Sequence, residues 1–112
     1  MITTTTLKNA AFAIEHDLFT DPDGANYLVK DGAILRRWEP ETSSADSFEL
    51  MANLRLSTDY YPGFAEVVAS DERVDHTGHC RYTEDLAADT RIAILLCAAS
   101  IGASINRSPE NH

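Results

Sequence analysis

The residues that decide the fold are YLVKDGAIL, at positions 27–35. Asp31-Gly32 lies between two short apolar segments, and this pattern is a strong hairpin signal because both central residues of a type I′ turn have positive φ. Pro40 has no backbone N–H and restricts the residue before it, so the second strand is predicted to end near Trp38. The stretch therefore predicts one β-hairpin followed by a new element.

The segment before the hairpin predicts a helix over about residues 6–17. Its apolar side chains have the i, i+4, i+7, i+11 spacing of one helical face; they are Leu7, Ala11, Ile14 and Leu18. Thr5 or Thr6 is the predicted N-cap, because a threonine hydroxyl can accept a backbone N–H of the first turn. The breaking residues 21–24 separate this helix from the hairpin.

A second helix is predicted after Ser43-Ser44. Asp46 and Glu49 form an approximate capping box, and carboxylates in a first turn interact favourably with the positive end of the helix dipole. The predicted buried face consists of Phe48, Met51, Ala52 and Leu54.

Two further strands are predicted at residues 56–60 and 64–69, which are rich in β-branched and aromatic side chains. Pro62-Gly63 between them predicts a turn. Residues 70–82 are polar and show neither helical nor strand periodicity, so they are predicted to form a long loop, either mobile or functional.

The last helix is predicted to begin after Thr83, its N-cap, and to end at Gly102 as the C′ residue. Apolar residues occupy almost its whole circumference, so it is either central in the fold or covered by a partner. Ile92 and Leu96 lie outside the main apolar stripe and are the predicted self-association residues of a homodimer.

The order α-β-β-α-β-β-α predicts an α+β fold, in which an antiparallel sheet of about four short strands packs with three helices. We expect a single domain over residues 1–103 and a flexible polar tail over residues 104–112. No internal repeat is visible in the sequence.

Composition excludes several classes of function. The chain has 18 Asp+Glu against 9 Lys+Arg and a net charge of −9, which disfavours direct binding to nucleic acid or anionic membranes. No secretory signal is visible, and the longest apolar run, residues 92–99, is too short to span a bilayer, so a cytoplasmic protein is predicted. Cys80 and Cys97 are predicted to be reduced.

Several motifs resemble one group of proteins. They are the Asp-Gly hairpin, Arg37-Trp38-Glu39-Pro40, ADTRIAI at residues 88–94, and Ile101-Gly102. Together they resemble small uncharacterised bacteriophage proteins of the NinX-like and phage ABA-sandwich group, over roughly residues 7–102. The resemblance implies a phage origin, a layered α+β fold and no established catalytic residues. The chain departs from the pattern at residues 43–45, where acids are common in the group, and in the loop at 70–82.

The loop also contains potential metal ligands. Asp75, His76, His79 and Cys80 could coordinate zinc, but paired ligand spacings are missing, so a solvated loop is favoured and neither a metal nor a cofactor is predicted. Cys80 with a histidine is a still weaker candidate for nucleophilic catalysis. The usual nucleotide-binding and hydrolase motifs are missing from the sequence, so the protein is predicted not to be an enzyme.

Candidate partner-binding residues are acidic or aromatic. Asp71, Glu72 and Asp75 form the predicted acidic loop, although an ordinary solvated surface would have the same composition. Trp38, Tyr60 and Tyr61 are the candidate binding aromatics; for Trp38, a buried position at the strand-to-helix corner with its N–H bonded to backbone is favoured.

Two functions of different classes follow. The first is an acidic, phage-encoded accessory protein that binds a host protein with a basic surface, for example as an inhibitor of a defence system such as CRISPR. The alternative is a homo-oligomeric binder of a small ligand such as a nucleotide, built across the last helix. Its candidate contacts are Arg36, Arg37, Tyr82 and Arg91.

Overall fold

A computed structural model describes residues 2–106. The protein is α+β, with three helices and two three-stranded antiparallel sheets. The helices are α1 (Thr4–Ala13), α2 (Ser44–Leu54) and α3 (Leu86–Asn106), and a 3₁₀ turn covers Pro62–Phe64. The strands are β1 (Asp17–Thr20), β2 (Asn26–Lys30), β3 (Ala33–Arg37), β4 (Ser57–Tyr61), β5 (Glu66–Ser70) and β6 (Thr77–Arg81).

The prediction of about four strands in one sheet is wrong in number and grouping. Strands β1, β2 and β3 form sheet A, and β4, β5 and β6 form sheet B, each in sequential order. The two strands that were not predicted lie at sheet edges. Strand β6 lies inside the predicted 70–82 loop, and its sequence TGHCR has almost no apolar side chains to reveal it.

The predicted hairpin is confirmed as β2 and β3. Asp31 and Gly32 have φ of 53° and 79°, as a type I′ turn requires. Strand β3 ends at Arg37, as Pro40 predicts. Leu28 pairs with Arg36, and the next residue of β2, Val29, pairs with Ile34. Leu35 of β3 therefore has no partner in β2 and is the extra residue of a β-bulge.

The first helix begins and ends earlier than predicted. Its N-cap is Thr3, whose hydroxyl accepts the Thr6 N–H at 3.1 Å, rather than Thr5 or Thr6. Residue Glu15 has a φ of 64°, which ends the helix and turns the chain into β1. The positive φ cannot be predicted from a glutamate, because this residue type rarely adopts it.

The start of α2 is confirmed, and its buried face is confirmed in part. Ser43 caps the helix by accepting the Asp46 N–H at 3.2 Å. The buried residues are Ser47 and Leu50, whereas Phe48 is 62% exposed. Met51 and Leu54 of the predicted face are partly buried against the core, whereas Phe48 and Ala52 are exposed at the surface, so the prediction is right for two of the four residues.

The third helix differs from the prediction at both ends. The Asp85 carboxylate, rather than Thr83, accepts a first-turn N–H, from Ala88 at 3.1 Å. The helix continues past Gly102 to Asn106, so the predicted flexible tail is helical over its first residues. The rest of that tail, residues 107–112, lies outside the described part of the chain.

Helix α3 is central and packs against α1, α2 and sheet B, which confirms the first of the two explanations for its apolar circumference. Glycines allow two of these contacts: Gly102 of α3 lies against the Asn9 backbone of α1, and Gly78 of β6 lies against the α3 backbone. By length and composition, the span Leu86–Ile105 could cross a membrane, so the expectation that no segment is long and apolar enough to do so is wrong; the core helix of a folded domain meets the same two criteria. Ile92 and Leu96 are half-buried on this helix, and their role in self-association stays a prediction.

The element order contains a repeat that the sequence does not reveal. Each unit is a helix followed by a three-stranded meander, first α1 with sheet A and then α2 with sheet B. Trp38 and Tyr82 follow the third strands, and each donates its backbone N–H to a carbonyl at 2.8 Å. The acceptors are Asn26, the first residue of β2, and Ala65, the residue before β5. The residues that follow Trp38 and Tyr82 donate backbone N–H groups to carboxylates of the next helix, Asp46 at 2.8 Å and Asp89 at 2.6 Å.

Candidate functional site

The predicted acidic loop is a closed turn between β5 and β6. The Asp71 carboxylate accepts backbone N–H groups from Asp75 at 2.9 Å and from His76 at 3.4 Å, so it organises the turn. Glu72 pairs with Arg55 at 3.6 Å. The structure brings the three acids into one turn, but two of them already have partners within the chain.

The predicted aromatic residues do not form one surface. Trp38 is fully buried, so its assignment as an exposed binding residue is wrong and its placement in the core is confirmed. Its Nε1 has no hydrogen-bond partner among residues 2–106, contrary to the expected bond to backbone. Tyr60 and Tyr61 are both exposed and point to opposite faces of sheet B, and Tyr60 packs against Tyr82 with ring centroids 5.0 Å apart.

The candidate zinc ligands do not converge. His79 and Cys80 are successive residues of β6 and lie on opposite faces of sheet B. His79 is 3.2 Å from Glu66, and the His76 ring is 2.9 Å from the Ser100 hydroxyl. Within the described range, 2–106, no group of three or more potential ligands is placed to hold a metal.

Neither thiol has the environment of an activated nucleophile. Burial raises the pKa of the Cys97 thiol to about 11, and Asp71 adds to the effect. Burial, followed by the charge of Asp89 and a hydrogen bond to it, raises the pKa of Cys80. The Cys97 thiol also donates to the His76 carbonyl at 3.4 Å. Both cysteines are free, and at neutral pH both are protonated thiols.

We expect both thiols to resist iodoacetamide in the folded protein at about pH 7.5. Because the folded pKa of Cys97 is raised from 9.0 to about 11, alkylation should accelerate as the pH rises toward that value. The protonated Cys97 thiol also supports stability that is complete below pH 9.0 and is lost as the pH rises through about 11. Mass spectrometry measures the extent of alkylation at each pH, with urea-unfolded protein as the reactive control. Rapid native alkylation of Cys97 at neutral pH would contradict the assignment.

Two arginines predicted to contact a small ligand are engaged elsewhere. Arg36 forms ion pairs with Asp46, at 2.7 Å, and with Glu49. Arg37 pairs with Glu39 at 2.6 Å. Arg91 donates to the Glu41 carbonyl and to the Ser44 hydroxyl, and it forms no ion pair with the carboxylates of residues 2–106. Of the three, Arg91 is therefore the one without an ion pair to a described carboxylate.

The structure reveals an apolar surface that the sequence analysis did not identify, on sheet A. One face of this sheet carries Leu28, which is buried in the core together with the partly buried Leu18. The opposite face, called the outer face of sheet A below, is formed by Phe19, Tyr27, Val29 and Ile34.

The outer face of sheet A is accessible. Phe19 is 44% exposed and Ile34 is 58% exposed. The Phe19 and Tyr27 rings lie next to each other with centroids 6.2 Å apart. Leu35, the bulge residue, is also exposed at the sheet edge. Tyr27 and Val29, which lie between Phe19 and Ile34 on this face, are half-buried. Exposed apolar residues grouped on one face of a sheet are typical of an interaction site.

Carboxylates surround the outer face of sheet A. Asp17 is in register with Val29 and Ile34, Asp31 lies in the β2–β3 turn at the same end, and Asp23 lies in the β1–β2 turn at the other end. None of the three forms an ion pair within residues 2–106. Arg37 is the cation on this face, and Glu39 compensates its charge. The rim is therefore negative.

The sequence contained one signal for this surface. Tyr27-Leu28-Val29 and Ala33-Ile34-Leu35 are each three consecutive apolar residues, and successive residues of a strand point to opposite faces. Both faces of sheet A therefore had to be apolar, whereas a strand with one solvated face normally alternates.

The comparisons with protein-family models, curated proteins and solved structures found no match to this chain. The resemblance to the phage ABA-sandwich group therefore stays a prediction.

Proposed function

We propose that this chain is a non-enzymatic accessory protein that binds another protein through the outer face of sheet A. The observation that carries the proposal is the pair of exposed residues Phe19 and Ile34 on one face of sheet A, with the half-buried Tyr27 and carboxylates that form no ion pair beside them. Apolar burial would supply the affinity, and the acidic rim would select the partner and steer its approach. The matching partner has an apolar patch surrounded by lysine or arginine.

Charge favours a basic protein over a second copy of this chain and over nucleic acid as the molecule that binds the outer face of sheet A. A second copy of this chain would bring two acidic rims together, each in a molecule with a net charge of −9. Repulsion between like charges at an interface disfavours that arrangement. Nucleic acid has the same sign of charge as the rim and would not release counterions to it. If the chain has the phage origin suggested by its motifs, the partner is a host protein, such as a component of a defence system.

The experiment is affinity capture from bacterial lysate with matched variants. The wild-type chain is compared with Phe19→Ser/Ile34→Ser, which removes the apolar cluster, and with Phe64→Ser as the control. Phe64 is 82% exposed and follows β4, outside sheet A, so the control removes one exposed phenylalanine elsewhere, as the test variant does at Phe19.

The proposal expects one stoichiometric protein to be retained by wild type and by Phe64→Ser. The Phe19→Ser/Ile34→Ser variant should lose at least about tenfold in affinity for it, because central apolar residues carry most of the energy of an interface. Raising the salt from about 0.1 M to about 1 M should weaken the complex, since the acidic rim is exposed. Equal retention by all three chains, or no retained protein, would overturn the proposal.

A further inference from the structure

A groove lies between α2 and the first half of α3. This groove has a volume of about 420 Å³, and Thr58 of β4 contributes to its lining. Its walls carry Ser47, Phe48 and Met51 from α2 and Leu86 from α3. Its size and mostly apolar lining are those of a small-molecule site. None of these residues belongs to the outer face of sheet A, so the groove is independent of the proposed function.

Ser47 is an unexplained polar group in the wall of this groove. The residue is 3% exposed, and its hydroxyl has no hydrogen-bond partner within the described chain. A buried hydroxyl without a partner destabilises a fold, so nearly all such groups are bonded to protein, water or ligand. The Ser47 oxygen is itself buried, so the groove wall must open slightly before a ligand oxygen can become its partner.

Arg91 supplies a positive charge at the same groove. Its Nε donates to the Glu41 carbonyl at 3.1 Å, and its Nη1 donates to the Ser44 hydroxyl at 3.2 Å. These two bonds hold the guanidinium without neutralising it, since both acceptors are uncharged. They also leave Nη2 and the Ser44 hydroxyl hydrogen for a further acceptor.

Three carboxylates lie near this position, and none of them forms an ion pair with Arg91; one of them is Glu41, whose Oε1 is buried without a hydrogen-bond partner in the described chain. Asp46 of α2 is bonded to the Glu39 N–H and to Arg36, and Asp89 of α3 is bonded to Thr83. The guanidinium of Arg91 therefore gives one part of the groove a positive charge, although the whole chain is acidic.

We propose that this groove binds a small aromatic carboxylate. The carboxylate would accept hydrogen bonds from Arg91 and from the Ser44 hydroxyl, and charge-assisted bonds to a guanidinium are stronger than bonds between neutral groups. The aromatic part would lie among Phe48, Met51 and Leu86, where methionine sulfur and aromatic rings make favourable contacts. The half-exposed Phe48 and Leu86 at the surface would be covered by the ligand.

The test is an NMR titration of the isotopically labelled chain with 2-naphthoate, with neutral 2-naphthamide as the matched probe. Naphthoate should shift the backbone amide signals of Ser47, Thr90 and Arg91, and it should leave those of Tyr27 and Ile34 unchanged. It should bind at least about tenfold more tightly than the amide, because only the acid can pair with Arg91.

Two variants make the outcome decisive. Arg91→Gln should remove the preference for the acid, so that naphthoate and naphthamide bind equally. Since Arg91 also bonds to the Glu41 carbonyl, a second variant avoids the risk of unfolding: Ala87→Trp places a large side chain into the groove from an exposed helix position and should abolish binding. Equal affinity of the wild type for both probes, shifts confined to sheet A, or no shifts would overturn the proposal.

Discussion

The Gly102→Ala variant is expected to lose at least about 3 kcal/mol of unfolding free energy. A Cβ at this position would overlap the backbone carbonyl of Asn9, because α1 and α3 cross with their main chains in contact. A backbone atom cannot move aside as a flexible side chain can, so the two helices would have to separate. In an isolated helix the same change would stabilise by about 1 kcal/mol, and the sign of the effect therefore identifies the crossing. Urea denaturation measures it.

Gly63→Ala is the matched control for this prediction. Nothing lies within 4 Å of a Cβ built at Gly63. The unfolding free energy of Gly63→Ala should stay within about 0.5 kcal/mol of the wild-type value, as for most surface substitutions. If Gly102→Ala were as stable as Gly63→Ala, α1 and α3 would not approach each other as closely as described.

Features that depend on neighbouring residues could be predicted from the sequence. The Asp31-Gly32 hairpin, the end of β3 before Pro40 and the Ser43 cap are set by the φ preferences and hydrogen-bonding groups of a few adjacent residues. The pair β4 and β5 likewise follows from β-branched and aromatic residues on each side of Pro62-Gly63. The three helices and the α+β class are confirmed for the same reason.

Features that depend on distant contacts could not be predicted. Strand β6 is polar, and it pairs because Gly78 lets it lie directly against α3. Gly102 has the sequence position of a helix end, yet it is an interior residue at a helix crossing. In both cases the glycine is needed because a backbone that is distant in sequence packs against it. The residues beside Gly78 and Gly102 do not distinguish either glycine from one in a turn.

In the candidate site, too, the features that depend on neighbouring residues could be predicted and those that depend on distant contacts could not. Asp71, Glu72 and Asp75 do lie together, but the backbone bonds of Asp71 become visible only when the turn is folded. Arg36 and Arg37 were candidate ligand contacts until α2 and Glu39 supplied their carboxylates. The outer face of sheet A depends on β1, a strand that the sequence analysis assigned to a helix end and a turn. The residue types of a binding surface are therefore predictable from the sequence, but their grouping in space is not.

The Asp89→Ala variant is expected to lose about 3 kcal/mol of unfolding free energy, because hydrogen bonds to buried charged groups are among the stronger ones. Asp89 is almost fully buried and accepts both the backbone N–H of Thr83, at 2.6 Å, and its hydroxyl, at 2.8 Å. Removing the carboxylate leaves that N–H without its acceptor where sheet B joins α3. Asp89→Asn should lose less, since an amide oxygen can still accept one of the two bonds.

The same variants carry a second, chemical readout at Cys80. After burial, the Asp89 carboxylate is the next cause that raises the pKa of this thiol, so Asp89→Asn should lower the pKa and accelerate native alkylation of Cys80. Asp59→Ala, which removes an exposed carboxylate from β4, is the control and should change neither stability nor alkylation. An unchanged alkylation rate in Asp89→Asn, together with wild-type stability in Asp89→Ala, would mean that this carboxylate does not join the two elements. Asp46 makes the equivalent bond between sheet A and α2, so the loss measured at Asp89 also tests whether the repeated unit depends on this connection.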